Sequence, residues 1–310
     1  MALADSVPGV SGGTIAFIMG FYENLLNSFH GLLFEQGEKR KESGSYLIKL
    51  GCGWAVGMGF ALVVLSHLLN SNIYLMTSAF LGLTLAAIPL IVRTEHATLR
   101  GKQWMLVFTL IGALFVVGIS LLRQVISGPA LDFSMLTGFE YIYIFIAGAV
   151  AVSAMILPGI SGSTLLLIFG VYAPMVLSVH ELMNANFAVL PGLLVLVVGI
   201  VFGLTCAIKV VRALLQKHRS AMIYLILGLV MGSTFAIVMG PTTMATPAPP
   251  LSVENFNIIA FAVGAGLVVG LEAIAHNGRK IFGRQLDKTG GKANDGVGNL
   301  GNHILRNAKL

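Results

Sequence analysis

Apolar residues form long runs along most of the chain, separated by short polar segments. These runs are about 17–25 residues long, the length that a helix needs to cross a hydrocarbon layer roughly 30 Å thick. Two apolar stretches, Val7–Phe21 and Tyr141–Val171, are each interrupted by a Pro-Gly pair, which predicts a broken helix. The pattern predicts an all-α polytopic membrane protein with full spans at Tyr46–Leu69, Tyr74–Val92, Trp104–Leu122, Ala188–Val211, Ala221–Gly240 and Ile258–Ala275.

The composition supports a membrane protein. Hydrophobic residues make up 56% of the chain and charged residues only 10%. The mean hydropathy is +0.88, and no soluble core accounts for so much apolar sequence. The net charge of +6 does not indicate nucleic-acid binding, because the basic residues lie beside the predicted spans and form no motif with aromatic residues.

The positions of the cations predict the orientation of the spans. Positive charges concentrate in cytoplasmic loops, and every one of the 19 Lys and Arg residues except Arg123 can be placed on that side. This placement requires Tyr141–Pro174 to begin and end outside, and we expect a helical hairpin that re-enters the membrane. Two short full spans would satisfy the same requirement. The linker 124–140 is then external, and the tail 283–310, rich in Gly, Asn, Lys and Asp, is predicted to be a disordered cytoplasmic extension.

An internal repeat relates the two halves of the chain. Residues 8–30 and 158–180 share ten identities in 23 positions, including a Pro-Gly-x-Ser-Gly-x-Thr motif. The second copy follows an odd number of spans, so we expect it to be inverted relative to the first. The prediction is an inverted-repeat transporter whose repeats, 1–123 and 141–282, each contain a broken re-entrant hairpin and three transmembrane helices. The alternative is that the Pro-Gly pairs only kink helices.

The repeated motif has the residues of an anion-binding loop. Its glycines permit tight turns and close approach of a ligand, its hydroxyl groups donate hydrogen bonds, and an apolar helix follows each copy. We expect the two loops to meet near the bilayer midplane and to bind a phosphate together. Neither copy contains a cation or a metal-ligating cluster, so we expect no catalytic residue, metal or cofactor. The candidate phosphate-binding residues are Gly9, Ser11, Gly12, Gly13, Thr14, Gly159, Ser161, Gly162, Ser163 and Thr164.

Three charged residues are further candidates. Asp5 and Glu23 flank the first motif, whereas Met155 and Ala173 hold the equivalent positions at the second. Carboxylates at membrane depth often couple transport to ions or protons, so this pair is a candidate for coupling or gating. The alternative is that Asp5 caps a helix and Glu23 lies at the interface. Arg123, the single cation predicted outside, is a candidate for capturing external anions or for anchoring its helix at the interface.

The segment Ala4–Thr14, its continuation Gly20–Glu23 and the second motif Pro158–Thr164 resemble the bacterial family first called domain of unknown function 368. That family is now assigned to undecaprenyl-phosphate translocation. The resemblance implies a flippase of the plasma membrane that returns undecaprenyl phosphate from the outer to the cytoplasmic leaflet for reuse in cell-wall biogenesis. It implies a polyprenyl phosphate and membrane lipids as partners and leaves homo-oligomerisation open. The family usually has more residues ahead of Ala4, so the first hairpin is expected to lack the counterpart of Tyr141–Ile156.

Two other functions agree with part of the pattern. Membrane polyprenyl-pyrophosphate phosphatases also have paired hairpins and a Pro-Gly-x-Ser motif, but an Arg follows their Ser where this chain has Gly12 and Gly162. Without that cation, the charge that develops in phosphoryl transfer would be poorly stabilised. A secondary transporter of a small soluble anion could use the same loops. A groove that opens sideways to lipid would favour the lipid substrate, and a closed aqueous vestibule would favour the soluble anion.

Overall fold

A computed structural model describes residues 1–2, 11–71, 73–125, 131–243, 248–270 and 272–273, without the side chains of residues 18, 61–71, 123–125 and 243. The described residues form helices and contain no strand. The helices are α1 (Gly12–Ile18), α2 (Tyr22–Phe34), α3 (Glu38–Ser71), α4 (Ile73–Thr94), α5 (His96–Leu99), α6 (Leu106–Val125), α7 (Gly138–Ile156), α8 (Gly162–Ile168), α9 (Tyr172–Met183), α10 (Leu190–Lys217), α11 (Arg219–Val238) and α12 (Ile258–Gly270). Short 3-10 turns occur at Gln103–Met105, Phe187–Val189 and Gly240–Thr243.

The chain is a multi-pass membrane protein. Within the described residues, five segments are long and apolar enough to cross a bilayer, and the bent pair α8 and α9 makes up to six. Four predicted spans coincide with α4, α6, α10 and α11, and the predicted span Tyr46–Leu69 lies within the continuous helix α3. The described part of the last predicted span is α12. The five segments are Ile73–Thr94, Gln103–Leu122, Gly138–Ile156, Phe187–Lys217 and Arg219–Val238.

The outer surface of the helices is apolar. Large hydrophobic side chains of α6 and α10 are about half exposed, as expected for faces that contact lipid rather than water. A soluble protein would not expose apolar faces of this extent. The exposed side chains include Leu110, Ile111, Leu114 and Phe115 of α6 and Leu194, Val197, Val201 and Phe202 of α10.

The predicted break at Pro158-Gly159 is confirmed, since α7 ends at Ile156 and α8 begins at Gly162. A second break, which was not predicted, separates α8 from α9 and turns the chain by 99°. Gly170 makes this turn possible with a φ of +67°, a conformation that favours glycine. The N–H of Val171 then donates to the carbonyl of Leu166 and closes the end of α8.

The first motif copy has the same local structure at the same offset. Helix α1 also has seven residues, and Gly20 follows it with a φ of +75°. The N–H of Phe21 donates to the carbonyl of Ala16, as Val171 does to Leu166. The sequence repeat is therefore a repeat of structure over α1–α2 and α8–α9.

Glycines allow helices from different halves of the chain to pack backbone against backbone. Helix α6 packs along α11, where a Cβ atom at Gly112 would lie 2.6 Å from the carbonyl oxygen of Leu225. Helix α4 contacts α12 in the same way, because a Cβ atom at Gly82 would overlap the carbonyl of Phe261. Small residues let membrane helices approach this closely. Each contact joins a helix from one half of the chain to a helix from the other.

Polar contacts gather at one end of the helices. The Arg219 guanidinium forms ion pairs with Glu23 at 2.6 Å and Glu95 at 2.8 Å. Nearby, Lys102 Nζ donates to Ser220 Oγ at 2.7 Å. The loops after α4 and α10 therefore contact each other. This contact agrees with the prediction from the Lys and Arg positions that both loops lie on the same side of the membrane.

Candidate functional site

The two motif loops touch each other. The Gly159 N–H of the second motif donates to Thr14 Oγ1 of the first at 2.9 Å, in a buried hydrogen bond. The Tyr22 hydroxyl donates to the carbonyl of Ile156 at 2.7 Å and ties α2 to the end of α7. The predicted approach of the two loops is therefore confirmed, and their depth in the bilayer stays a prediction.

The described part of the first motif, residues 11–14, is held by hydrogen bonds between its own residues. Ser11 occupies the N-cap of α1, and its Oγ accepts a hydrogen bond from the Gly13 N–H at 3.2 Å. The Ser11 carbonyl accepts from the Thr14 N–H at 3.0 Å. Ser11 and Thr14 are both only 3% exposed. In the described part of this copy, residues 11–14, the hydroxyl groups therefore stabilise the loop and contact the second motif, and both are buried.

The second motif is more accessible. Ser161 occupies the N-cap of α8 but makes no side-chain capping bond, and its Oγ lies 2.8 Å from Ser163 Oγ. Ser163 is exposed, while Ser161 and Thr164 are half-buried. The N–H groups of the first helical turn have no acceptor within the helix. Hydroxyl and N–H donors are thus grouped at the start of α8, and this is the arrangement that a phosphate oxygen accepts from.

The glycines of the second motif are also needed for packing. Gly159 has a φ of +93°, and a Cβ atom there would lie 2.7 Å from the carbonyl carbon and oxygen of Leu229. A Cβ atom at Gly162 would lie 3.2 Å from the Ala151 carbonyl oxygen. The Gly159 N–H is occupied by Thr14, so it is not directed at a ligand. Replacing either glycine would therefore test the fold as well as binding.

The helix dipole contributes little to this site. Helices α1 and α8 have only seven residues each, about two turns, so few peptide dipoles are aligned behind each loop. The hydroxyl groups, and the first-turn N–H groups of α8 that have no acceptor within the helix, are the stronger candidates for holding an anion.

The remaining predicted residues lie elsewhere. Asp5 and Gly9 fall outside the described residues, as does the side chain of Arg123, whose backbone belongs to α6. Glu23 lies one residue after the start of α2 and is held by Arg219, at the polar end of the helices. Its coupling role stays a prediction. Sequence reasoning missed Arg219 as its partner.

Within the described part of the chain, no group of three His, Cys, Asp or Glu side chains could hold a metal ion. Gly12 and Gly13 follow Ser11 directly in α1, where Gly13 packs against α7. A Cβ atom at Gly13 would lie 3.7 Å from the carbonyl oxygens of Met155 and Ile156. The site thus consists of hydroxyl and backbone donors at the junction of two broken helices.

Comparisons with known proteins identify a family and two similar proteins. The profile of the undecaprenyl phosphate translocase-like family matches residues 1–253. A protein of Vibrio cholerae serotype O1 named polyprenyl-phosphate transporter is 34% identical over 244 residues, which cover 75% of this chain and 73% of that protein. A Staphylococcus aureus protein of the same name is 34% identical over 245 residues, which cover 78% of this chain and 84% of that protein. No solved structure shows significant similarity to the chain.

Proposed function

Because the chain belongs to the undecaprenyl phosphate translocase-like family, we propose that it carries undecaprenyl phosphate from the outer to the cytoplasmic leaflet of the bacterial plasma membrane. Returning this lipid carrier allows its reuse in cell-wall biogenesis. The observation that carries the proposal within the structure is the direct contact of the two motif loops through Gly159 and Thr14. This contact places the accessible hydroxyls of Ser161 and Ser163 at the junction of the two halves.

The chemistry of the substrate fits these groups. Its headgroup is a phosphate monoester, whose oxygens accept hydrogen bonds from hydroxyl and backbone N–H donors. Moving such an anion through bare hydrocarbon would cost on the order of tens of kcal/mol by idealised estimates. A polar junction inside the protein lowers this barrier for the headgroup, while the apolar tail stays in lipid. Binding through neutral donors also lets the anion leave, as a carrier requires.

The proposal includes an inverted repeat with re-entrant hairpins. Two observations support it: α1–α2 and α8–α9 have the same local structure, and the contacts between halves are reciprocal. Helix α4 of the first half packs on α12, and its counterpart α11 of the second half packs on α6. Equivalent helices that exchange partners in this way are what a pseudo-two-fold axis produces.

A leaflet-resolved assay tests the proposed transport. Vesicles containing the purified protein and undecaprenyl phosphate are exposed to a membrane-impermeant phosphatase, which hydrolyses only the lipid in the outer leaflet. An active carrier makes the whole pool available to the enzyme, whereas empty vesicles release only the outer pool. Trapping the phosphatase inside vesicles of known protein orientation then compares the two directions.

Substitutions identify the site that carries the flux. The double variant Ser161→Ala, Ser163→Ala removes both accessible hydroxyls without changing packing volume much, so it is expected to lower flux at unchanged yield. Ser252→Ala changes an exposed serine in the loop before α12 and is the matched control. Normal flux in the double variant would refute the headgroup site. Phosphate release from polyprenyl pyrophosphate by the wild-type protein would favour a phosphatase, and efflux of trapped inorganic phosphate would favour a soluble-anion transporter.

A further inference from the structure

A second polar site lies away from the motif loops, between α2 and the end of α10. It is a partly open cavity of about 230 Å³. The two helices contact each other along it, and Arg219 at the start of α11 closes one end through its ion pair with Glu23. The lining residues are Glu23, Leu26, Asn27, Arg212, Leu215, Gln216 and Arg219.

The two arginines in this cavity differ in their partners. Arg219 is bonded to the carboxylates of Glu23 and Glu95, so its charge is balanced. Arg212 Nε is buried, and among the described residues it has no hydrogen-bond partner. The Arg212 side chain is only partly buried, but a buried Nε–H without an acceptor is unfavourable, because the desolvation of this donor is not compensated. An acceptor supplied by a ligand would remove this penalty.

Among the described residues Arg212 forms no ion pair, since the carboxylate that shares its cavity, Glu23, is paired with Arg219. Burial lowers the pKa of His30, and the positive charge of Arg212 lowers it further. Lys209, one turn before Arg212, places its Nζ 4.0 Å from the centre of the Phe34 ring. The neighbouring carboxylate Glu35 is paired with Lys39 at 3.5 Å. The positive charge at Arg212 is therefore available to an anion that enters the cavity.

We propose that this cavity binds a phosphate monoester, with the Arg212 guanidinium as its principal ligand and the side-chain amides of Asn27 and Gln216 as further donors. A guanidinium presents its N–H groups as a fork that matches two phosphate oxygens. Glu23 limits the affinity by repulsion, which suits a site that releases its anion. That the phosphate belongs to a lipid rests on the proposed transport function.

The position of the cavity indicates its place in transport. Helix α10 has 28 residues and is about 42 Å long, whereas roughly 30 Å suffices to cross the hydrocarbon. The span expected from the sequence, Ala188–Val211, ends just before Arg212, so we infer that the last turns of α10 extend beyond the hydrocarbon on the side where the cations predict the cytoplasm. The cavity therefore serves as a cytoplasmic exit site, which receives the headgroup after it leaves the motif loops.

Chemical protection of Arg212 tests the site without a transport measurement. The purified full chain in detergent is treated with phenylglyoxal, which modifies accessible guanidinium groups, and the extent at each arginine is read by mass spectrometry. Farnesyl phosphate is the probe for a lipid phosphate, inorganic phosphate is the probe for the free anion, and phosphatidylglycerol tests a phosphodiester. The proposal expects a phosphate monoester to slow modification of Arg212 by about tenfold or more, while the exposed Arg40 reacts at an unchanged rate.

The variants Arg212→Gln and Arg40→Gln make the same charge change at the cavity and at an exposed position. Arg212→Gln is expected to weaken farnesyl phosphate binding by about 10- to 100-fold, and Arg40→Gln to leave it unchanged. Protection by farnesyl phosphate alone assigns the site to the lipid, and protection by both monoesters assigns it to phosphate in general. Equal modification of Arg212 with and without saturating probes, or protection by phosphatidylglycerol alone, overturns the proposal. If a phosphate monoester protects Arg212 but the protein does not transport the lipid between leaflets, the proposed function is refuted and the binding site is supported. If the protein transports the lipid but Arg212 is not protected, the binding site is refuted and the proposed function is supported.

Discussion

The hydrogen bond between Gly159 and Thr14 gives a quantitative test of the contact between the motif loops. Thr14→Val keeps the shape of the side chain and removes the acceptor, which leaves the buried Gly159 N–H unsatisfied. Such a loss costs about 1–3 kcal/mol. The added methyl group returns at most about 0.8 kcal/mol. With the full return, the net destabilisation of the contact is roughly 0.2–2.2 kcal/mol, or a roughly 1.4- to 40-fold rise in its opening equilibrium.

Amide hydrogen exchange measures this opening locally. In the peptide that contains Gly159, the Thr14→Val protein should exchange roughly 1.4- to 40-fold faster than the wild type, because exchange follows local opening. Thr14→Ser keeps the hydroxyl acceptor and should retain most of the protection. Thr205→Val removes a hydroxyl that donates to the Val201 carbonyl of its own helix, so it is the matched control.

Two results would refute this reasoning. If Gly159 exchanges at the same rate in the wild-type and Thr14→Val proteins, the cross-loop hydrogen bond does not form in solution. If Thr14→Ser loses as much protection as Thr14→Val, the side-chain methyl group rather than the hydroxyl holds the loops together. Either result would remove the main structural argument for a joint site.

Two further predictions concern packing and coupling. Gly112→Ala should lower the yield of folded protein, because its Cβ atom would lie 2.6 Å from the Leu225 carbonyl oxygen. Gly118→Ala on the same helix is the control and should be tolerated, since its Cβ atom meets nothing within 4 Å. Equal thermal stability of the two purified variants would contradict the close packing. Glu23→Gln should flatten the dependence of flux on pH, because glutamine cannot exchange a proton beside Arg219. The variant should still fold, since both side chains of the Glu23–Arg219 pair are more than 40% exposed. An unchanged pH profile relative to the exposed control Glu42→Gln would end the coupling hypothesis.

The spans and the first helix break could be predicted because lipid imposes a simple rule on sequence. A helix that crosses hydrocarbon must stay apolar for its whole length, and a Pro-Gly pair inside such a run ends the helix. The second break at Gly170 had a weaker signal, a single glycine in an apolar run that is repeated at Gly20. Its position at the same offset in both copies could have indicated a turn, since repeated glycines often mark positive φ.

The partners of the site residues could not be predicted in the same way. Glu23 and Arg219 are separated by 196 residues, and their pairing follows from how the helices pack. The glycines of the second motif were interpreted as ligand-approach positions, and Gly159 also proves to be required by its contact with Leu229. Residue type therefore identified the loops. The difference in exposure between the buried hydroxyl groups of Ser11 and Thr14 and the accessible hydroxyl groups of Ser161 and Ser163 depends on tertiary contacts.

The exchange of partners between the two halves has a consequence for biosynthesis. Gly82 on α4 packs against Phe261 on α12, which is synthesised 179 residues later. At a synthesis rate of about 5–20 residues per second, α12 is made on the order of 10–40 s after Gly82 of α4. During that time the first half is inserted but cannot complete its native contacts, so it depends on lipid or on an insertion chaperone to cover this face. A chain terminated before α12 should therefore be degraded by proteases, even though most of its spans are present, because the packing surface of α4 stays uncovered.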